Sequence, residues 1–99
     1  MPFSSVSEAI VVCTRNRSAE LQRTLESIEA CCPSADRLLA VVDASDAEER
    51  TRTRSLVERF APCPSVHWPY TGAPSSARQR NAALDRLPRS VEVVHFIDD

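Results

Sequence analysis

The sequence predicts an α/β fold: a Rossmann-like, three-layer parallel sheet with the element order β-α-β-α-β-α-β. Short apolar runs typical of buried strands alternate along the chain with segments whose apolar residues recur at helical spacing. No repeat or linker interrupts this alternation, so we expect residues 1–99 to form one unit. Because crossovers between parallel strands are right-handed, the expected strand order is 3-2-1-4.

Four short runs are the predicted strands. Each is mostly apolar and is bounded by polar residues or proline, as expected for strands that are buried on both faces of a parallel sheet. Polar side chains follow the first, second and fourth runs directly. The four predicted strands are Ala9–Cys13, Leu38–Val42, Val66–Trp68 and Val91–Ile97.

The first two helices have clear start and stop signals. Ser18 can cap the first helix and Pro33 ends it, while Asp46 can cap the second helix and Pro62 and Pro64 stop it. The apolar residues predicted to face the core are Leu21, Leu25, Ile28 and Cys32 in the first helix and Leu56, Val57 and Phe60 in the second. We interpret four arginines of the second helix as a solvated face: Arg50, Arg52, Arg54 and Arg59.

The third helix follows a loop that contains the only glycine, Gly72. Ser75 or Ser76 can cap it. Its predicted core-facing residues are Ala77, Leu84 and Leu87.

Composition excludes several mechanisms and partners. All twelve basic residues are arginine, so a Walker-A lysine and a Schiff-base lysine are both absent, and one glycine cannot make a GxGxxG fingerprint. A formal net charge of −2 gives no reason to expect a nucleic-acid partner. The chain shows neither a signal peptide nor an apolar run long enough to span a membrane, so we expect a cytoplasmic protein.

The topology predicts where a ligand binds. In open α/β sheets, ligands bind beyond the carboxyl ends of the strands where the strand order reverses, here between strands one and four. Thr14–Arg17 and Asp98-Asp99 follow those two strands, and Asp43 ends the neighbouring strand. Adjacent carboxylates suit Mg²⁺ or Mn²⁺ shared with substrate phosphates. The arginines of the first loop and the third helix can pair with phosphate oxygens: Arg15, Arg17, Arg78 and Arg80.

Other reactive or aromatic side chains have simpler explanations. The four cysteines lack metal-ligand spacing, and we interpret them as small buried hydrophobes. His67 and His95 lie within strand patterns and are interpreted as structural. Trp68 and Tyr70 are interpreted as packing residues, with stacking on a base as the alternative.

Five segments, in the right order, resemble family 2 glycosyltransferases of the GT-A fold. Val11–Arg17 resembles that family's first strand and its Thr-x-Asn-Arg loop, and Ser18–Ile28 resembles the helix that follows. Val41–Asp46 resembles the Val-Asp-Asp-Gly-Ser-x-Asp segment, with Ala-Ser here in place of Asp-Gly. Ala77–Leu84 is similar to the Ala-Arg-Asn-x-Gly helix start, and Phe96–Asp99 is similar to the start of the Asp-x-Asp motif.

The resemblance implies a role for each matching position. Thr14 and Arg17 would line the nucleotide pocket beside base and ribose, and Asp43 would accept a hydrogen bond from the base, typically uracil. Arg80, or alternatively Arg78, would lie near the base or the diphosphate.

The acidic motif would serve the ribose and the metal. By the resemblance, Asp98 would approach the ribose and the metal shell, and Asp99 would be the middle position of the acidic triplet. Both are therefore the expected ligands of Mg²⁺ or Mn²⁺ in the complete protein.

The implied activity is transfer of a sugar from a nucleotide-sugar donor, with a UDP-sugar favoured, to an acceptor hydroxyl. The resemblance puts the last carboxylate of the motif, the acceptor-binding half and the catalytic base beyond Asp99. We therefore expect this chain to be a partial GT-A fold, the donor-binding half, which is inactive alone and able to self-associate through exposed apolar surface.

Two alternatives stay open. One is a non-catalytic α/β module for nucleotide binding or interaction, which the missing glycines favour. The other is a different α/β enzyme. A sugar-nucleotide pyrophosphorylase would need a Gly-rich loop after strand one, and a phospho-receiver domain would need acidic residues there and a late lysine, neither of which is present.

Overall fold

Strands and helices alternate along the chain in the computed structural model, which describes residues 6–31, 37–60 and 63–98. The strands pair in parallel in the order β3-β2-β1-β4, which confirms the predicted α/β class and the strand order 3-2-1-4. The strands are β1 (Glu8–Thr14), β2 (Arg37–Asp43), β3 (Ser65–Pro69) and β4 (Val93–Asp98). The helices are α1 (Ser18–Cys31), α2 (Ala47–Glu58) and α3 (Ser76–Arg86).

Helices α1 and α2 cover one face of the sheet. Their apolar side chains pack on every second residue of the two central strands, because successive strand residues point to opposite faces. The described residues predicted to face the core lie in it or pack against it, although Phe60 stands just beyond the end of α2. Cys32, Pro33 and Pro62 lie outside the described residues. The buried strand residues are Ile10, Val12, Leu39 and Val41.

Helix α3 covers the opposite face and makes the third layer. Ala83 packs there on Val11, Ala40 and Val42, which alternate with the residues of the first core. Partly buried side chains complete this smaller cluster: Cys13, Val66, Trp68, Tyr70, Leu87 and Val94.

The predicted core face of α3 is wrong in part. Leu84 is 50% exposed and Ala77 is also exposed, whereas Leu87 packs against the core as expected. The residues that α3 buries are Gln79 and Ala83, four positions apart. A polar residue can occupy this face because the Gln79 amide finds hydrogen-bond acceptors there, which apolar periodicity does not register.

The arginine face of α2 is also predicted only in part. Arg52 and Arg54 are largely exposed and pair with glutamates of the same helix, in contacts that contribute at most about 1 kcal/mol each. Arg59 is exposed as well. Arg50 is half-buried instead, because its Nη2 donates to the Ser45 carbonyl at 2.8 Å, just before the helix.

Strand β4 begins two residues later than predicted. The Val91 amide donates to the Pro88 carbonyl at 3.1 Å, so this residue closes a turn. The Glu92 amide then donates to the Ser7 carbonyl at 2.8 Å, which brings the chain beside β1. From Val93 onward the regular parallel pairing takes over.

Two cysteines with described side chains fit the interpretation as small apolar residues. Cys63 is buried in the first core, and burial raises the pKa of its thiol. Cys13 is half-buried in the second core. Cys63 is a free thiol.

Within residues 6–31, 37–60 and 63–98, no helix combines the length and the apolar character that crossing a membrane requires.

A matched pair of leucines tests the assignment of helix faces. We expect Leu21→Ala to lower the free energy of unfolding by about 2–5 kcal/mol, because the side chain is fully buried under α1. Leu84→Ala should change it by less than about 0.5 kcal/mol, because the side chain is half-exposed. Urea denaturation followed by circular dichroism measures both, and similar losses in the two variants would contradict the described position of α3.

Candidate functional site

The carboxyl ends of three strands meet at one edge of the sheet. In the register of the sheet, Thr14 of β1 pairs with Asp43 of β2, and Cys13 of β1 pairs with Asp98 of β4. The strand order reverses between β1 and β4, so this edge is the ligand-binding position expected for an open α/β sheet. The predicted site segments after β1 and β2, together with Asp98, therefore lie at one edge.

The loop after β1 is fastened to the loop after β2 through Asn16. Its backbone amide donates to the Ser45 Oγ at 2.7 Å. Its side chain makes two bonds to Asp46: the Oδ1 accepts from the Asp46 backbone amide at 3.0 Å, and the Nδ2 donates to the Asp46 carboxylate at 3.2 Å. Asn16 has a positive φ of 53°, which asparagine tolerates better than most residues. These bonds give the Thr14–Arg17 loop a defined shape beside the reversal point.

Asp46 has a different role from the one predicted. It occupies the position before α2 with extended backbone angles, as an N-cap residue does, but its side chain makes no capping hydrogen bond. Its carboxylate accepts from the Asn16 side chain instead. The sequence reasoning missed this partnership, although asparagine, serine and aspartate after strands are the residue types that form such turn contacts.

The Asp43 carboxylate points into the protein. The residue is 0% exposed, with its Oδ2 2.8 Å from the His67 Nε2 and its Oδ1 accepting from the Ser45 amide at 2.9 Å. Burial alone raises the pKa of this carboxyl, but the hydrogen bonds from His67 and Ser45 outweigh burial and hold the pKa below its ordinary value. Asp43 is therefore an ionised, internally paired group.

This pairing bears directly on the expected contact between Asp43 and a base. Both carboxylate oxygens already have partners, and none of the residue is open to solvent. Each carboxylate oxygen could accept a second hydrogen bond, so burial is the obstacle: a base could reach Asp43 only if the residues that cover it moved. The histidine side chain is itself only 6% exposed, in keeping with the structural role predicted for it.

Gln79 is a site residue that sequence reasoning missed. Its Nε2 donates to the Thr14 carbonyl at 3.2 Å and to the Val42 carbonyl at 3.0 Å. These carbonyls lie at the carboxyl ends of β1 and β2, so the amide joins the two strand ends to α3. A polar residue flanked by arginines gives no apolar signal of burial, and only the tertiary structure reveals that Gln79 is buried.

The predicted phosphate-pairing arginines belong to the two segments that this contact joins, the loop after β1 and helix α3. Arg15 and Arg17 are exposed in the loop after β1, and Arg78, next to Gln79, is exposed in the first turn of α3. The Ser75 hydroxyl accepts from the Arg78 amide at 3.0 Å, which confirms Ser75 as the helix cap. Arg80 is half-buried and holds its guanidinium 5.5 Å from the centre of the Phe96 ring on β4.

The acidic end of β4 is described only in part. Asp98 is the last residue of the strand, and Asp99 lies outside the described residues. Among residues 6–31, 37–60 and 63–98, no group of three or more histidine, cysteine, aspartate or glutamate side chains could hold a metal ion.

No known protein family, curated protein or solved structure matches this chain.

Substitutions of Asn16 test how the two loops are fastened. We expect Asn16→Ala to destabilise the fold by about 1 kcal/mol more than Asn16→Gly. Both remove the side-chain bonds to Asp46, but only glycine adopts the positive φ without strain. Urea denaturation of the two variants compares them directly, and equal stabilities would mean that this backbone conformation is not maintained in solution.

Acid denaturation tests the Asp43 pair. Because the folded-state pKa of Asp43 is depressed, its stabilisation is present above the unfolded-state pKa and is lost as pH falls through the folded-state pKa. We expect Asp43→Asn to lower the free energy of unfolding by about 1–3 kcal/mol at pH 7. As pH falls, the free energy of unfolding of this variant should decrease less steeply than that of the parent chain.

Urea denaturation at a series of pH values from neutral to strongly acid measures this effect. Asp85→Asn, on the exposed surface of α3, is the matched control, with an expected change within about 0.5 kcal/mol at pH 7. If the free energy of unfolding falls with acid pH as steeply in Asp43→Asn as in the parent chain, the carboxylate is not ionised and paired as described.

Proposed function

We propose that this chain binds the nucleoside diphosphate part of a nucleotide-sugar, a UDP-sugar by preference, as the donor-binding half of a glycosyltransferase. The observation that carries the proposal is the fastened Thr14–Arg17 loop at the point where the strand order reverses. A loop held in one shape beside that point presents backbone and side-chain donors to a ligand at little cost in conformational entropy. The resemblance to family 2 glycosyltransferases supports the same reading.

Positive charge at this edge suits a diphosphate. The chain has a formal net charge of −2, yet Arg15 and Arg17 extend from the first loop and Arg78 from the start of α3. Gln79 touches the end of β1, so the first turn of α3 adjoins the strand end that leads into this loop. Guanidinium groups bind phosphate oxygens bidentately, which would orient the leaving diphosphate as well as attract it.

A divalent cation would complete the donor site. The carboxylates of Asp98 and Asp99 are the hard oxygen donors that Mg²⁺ or Mn²⁺ prefers, and magnesium sites often use only one or two protein carboxylates together with substrate phosphates. The donor types therefore fit such a cation. Its contribution when bound would be to neutralise negative charge on the leaving diphosphate.

The second candidate is a non-catalytic α/β interaction module. The burial of Asp43 favours it, because the carboxylate expected to contact the base is not exposed and is paired with His67. The two candidates differ in their response to nucleotides. A donor-binding half responds to a nucleoside diphosphate at the strand ends, and an interaction module does not.

Amide-correlation NMR of the labelled 99-residue chain separates the two. We expect UDP with Mg²⁺ to shift the amide signals of Thr14–Arg17, Arg78 and Asp98, with GDP, TDP and CMP as comparisons. Arg17→Ala should weaken the response about tenfold or more, since a charged hydrogen bond contributes about 1.5–3 kcal/mol. Arg54→Ala, on the exposed surface of α2, is the control and should bind like the parent chain.

A dispersed spectrum that ignores every nucleotide would overturn the proposed donor site and favour the interaction module. Equal binding by the Arg17 and Arg54 variants would show that the nucleotide lies elsewhere on the molecule.

A further inference from the structure

A cavity of about 230 Å³ lies on the α3 side of the sheet, next to the last residues of β2 and β3. Its walls include the aromatic rings of Trp68 and Tyr70 and the Arg86 side chain. Val42 and Ala82 also line it, and both are small enough to leave space between the rings and the helix. The cavity therefore combines two aromatic side chains with one cationic hydrogen-bond donor.

The Tyr70 wall is held in position by the backbone. The Tyr70 amide donates to the Asp43 carbonyl at 2.7 Å, which continues the contact between β2 and β3 beyond the strand. A β-carbon added at Gly72 would come within 2.8 Å of the Tyr70 Oη, so the only glycine of the chain lets the phenol lie against the loop. The same loop thereby forms the rim of the cavity.

The cationic group of the cavity is the Arg86 guanidinium, next to Trp68. The Arg86 guanidinium lies 5.9 Å from the centre of a Trp68 ring, near the outer limit of a cation–π contact. A guanidinium has five N–H donors, which can meet a carbonyl at the edge of another planar ring.

We infer that this cavity, and not the Asp43 carboxylate, takes the nucleobase of the bound nucleotide, with preference for a base that presents ring carbonyls, such as uracil. The inference rests on the proposed function. Aromatic side chains bind bases by stacking, whereas the Asp43 carboxylate is fully buried and already paired inside the protein. The departure from Asp-Gly to Ala44-Ser45 removes a second acidic candidate from that turn.

The spacing of the sheet is compatible with one ligand reaching both places. The reversal point lies between β1 and β4, and the cavity lies beside β2 and β3. Two strand spacings separate them, about 10 Å. A nucleoside diphosphate can bridge that distance with its base in the cavity and its phosphates at the Thr14–Arg17 loop.

Trp68 is the only tryptophan of the chain, so its fluorescence reports on this cavity. We expect both uridine and UDP to change Trp68 emission excited at the red edge of tryptophan absorption. Ala82→Leu should abolish the response by filling the cavity, whereas Ala77→Leu, exposed on the same helix, should leave it intact. Tyr70→Ala should weaken uridine binding about tenfold by removing one stacking surface, and it supplies the test if Ala82→Leu fails to fold.

The outcomes separate this inference from the proposed function. If UDP shifts the Thr14–Arg17 amides while Trp68 emission stays constant, or if Ala82→Leu binds uridine as well as the parent chain, the cavity inference is wrong and the donor site stands. If uridine changes Trp68 emission in a manner that Ala82→Leu abolishes, the cavity is a base-binding site. In that case, loop amides that ignore UDP would overturn the diphosphate site alone.

Discussion

The geometry of the sheet edge depends on the hydrogen bonds of one buried group, the Asp43 carboxylate. It joins the end of β2 to His67 in β3 and to the backbone of Ser45 in the following turn. The Ser45 hydroxyl in turn accepts a hydrogen bond from the Asn16 backbone amide. The loop after β1 is therefore linked to the Asp43 carboxylate through Ser45. Each partner satisfies a polar group that would otherwise be costly to bury, which makes the set interdependent. An ionised group at the end of a parallel strand therefore organises three neighbouring segments before any ligand is present.

The fold was accessible from the sequence because it depends on local patterns. Apolar runs and helical spacing locate the strands and helices, and the right-handed crossover rule converts their order into a topology. Leu21, Leu25 and Val57 are buried because their spacing puts the apolar side chains of each helix on one face, and that face packs on the sheet. The same reasoning failed for α3, where Leu84 is exposed and Gln79 is buried. Helix faces are determined by which side chains find partners on the sheet, and an amide with two carbonyl acceptors can take a place that spacing alone would give to leucine.

The site was only partly accessible for a related reason. Topology and residue type brought the strand ends together, including Thr14, Asp43 and Asp98. The contacts that shape this edge join residues far apart in the chain, such as Asn16 with Ser45 and Gln79 with Thr14, 29 and 65 positions apart. No local pattern encodes such pairs, and the inward direction of the Asp43 side chain likewise depends on a histidine 24 positions away. Residue type therefore indicates which groups can do chemistry, and tertiary contacts decide which of them face outward.

Strand β4 has a consequence for how this sheet can grow. It forms one edge of the described sheet, and between Val93 and Ile97 it carries no lysine, proline or carboxylate of the kind that shields free strand edges. Val93 and Phe96 are exposed on its two faces. A further strand could therefore hydrogen-bond along β4 and widen the sheet sideways. The reversal-point loops lie at the strand ends and not along this edge, so such lateral extension would enlarge the molecule while leaving the Asn16 and Asp43 contacts undisturbed.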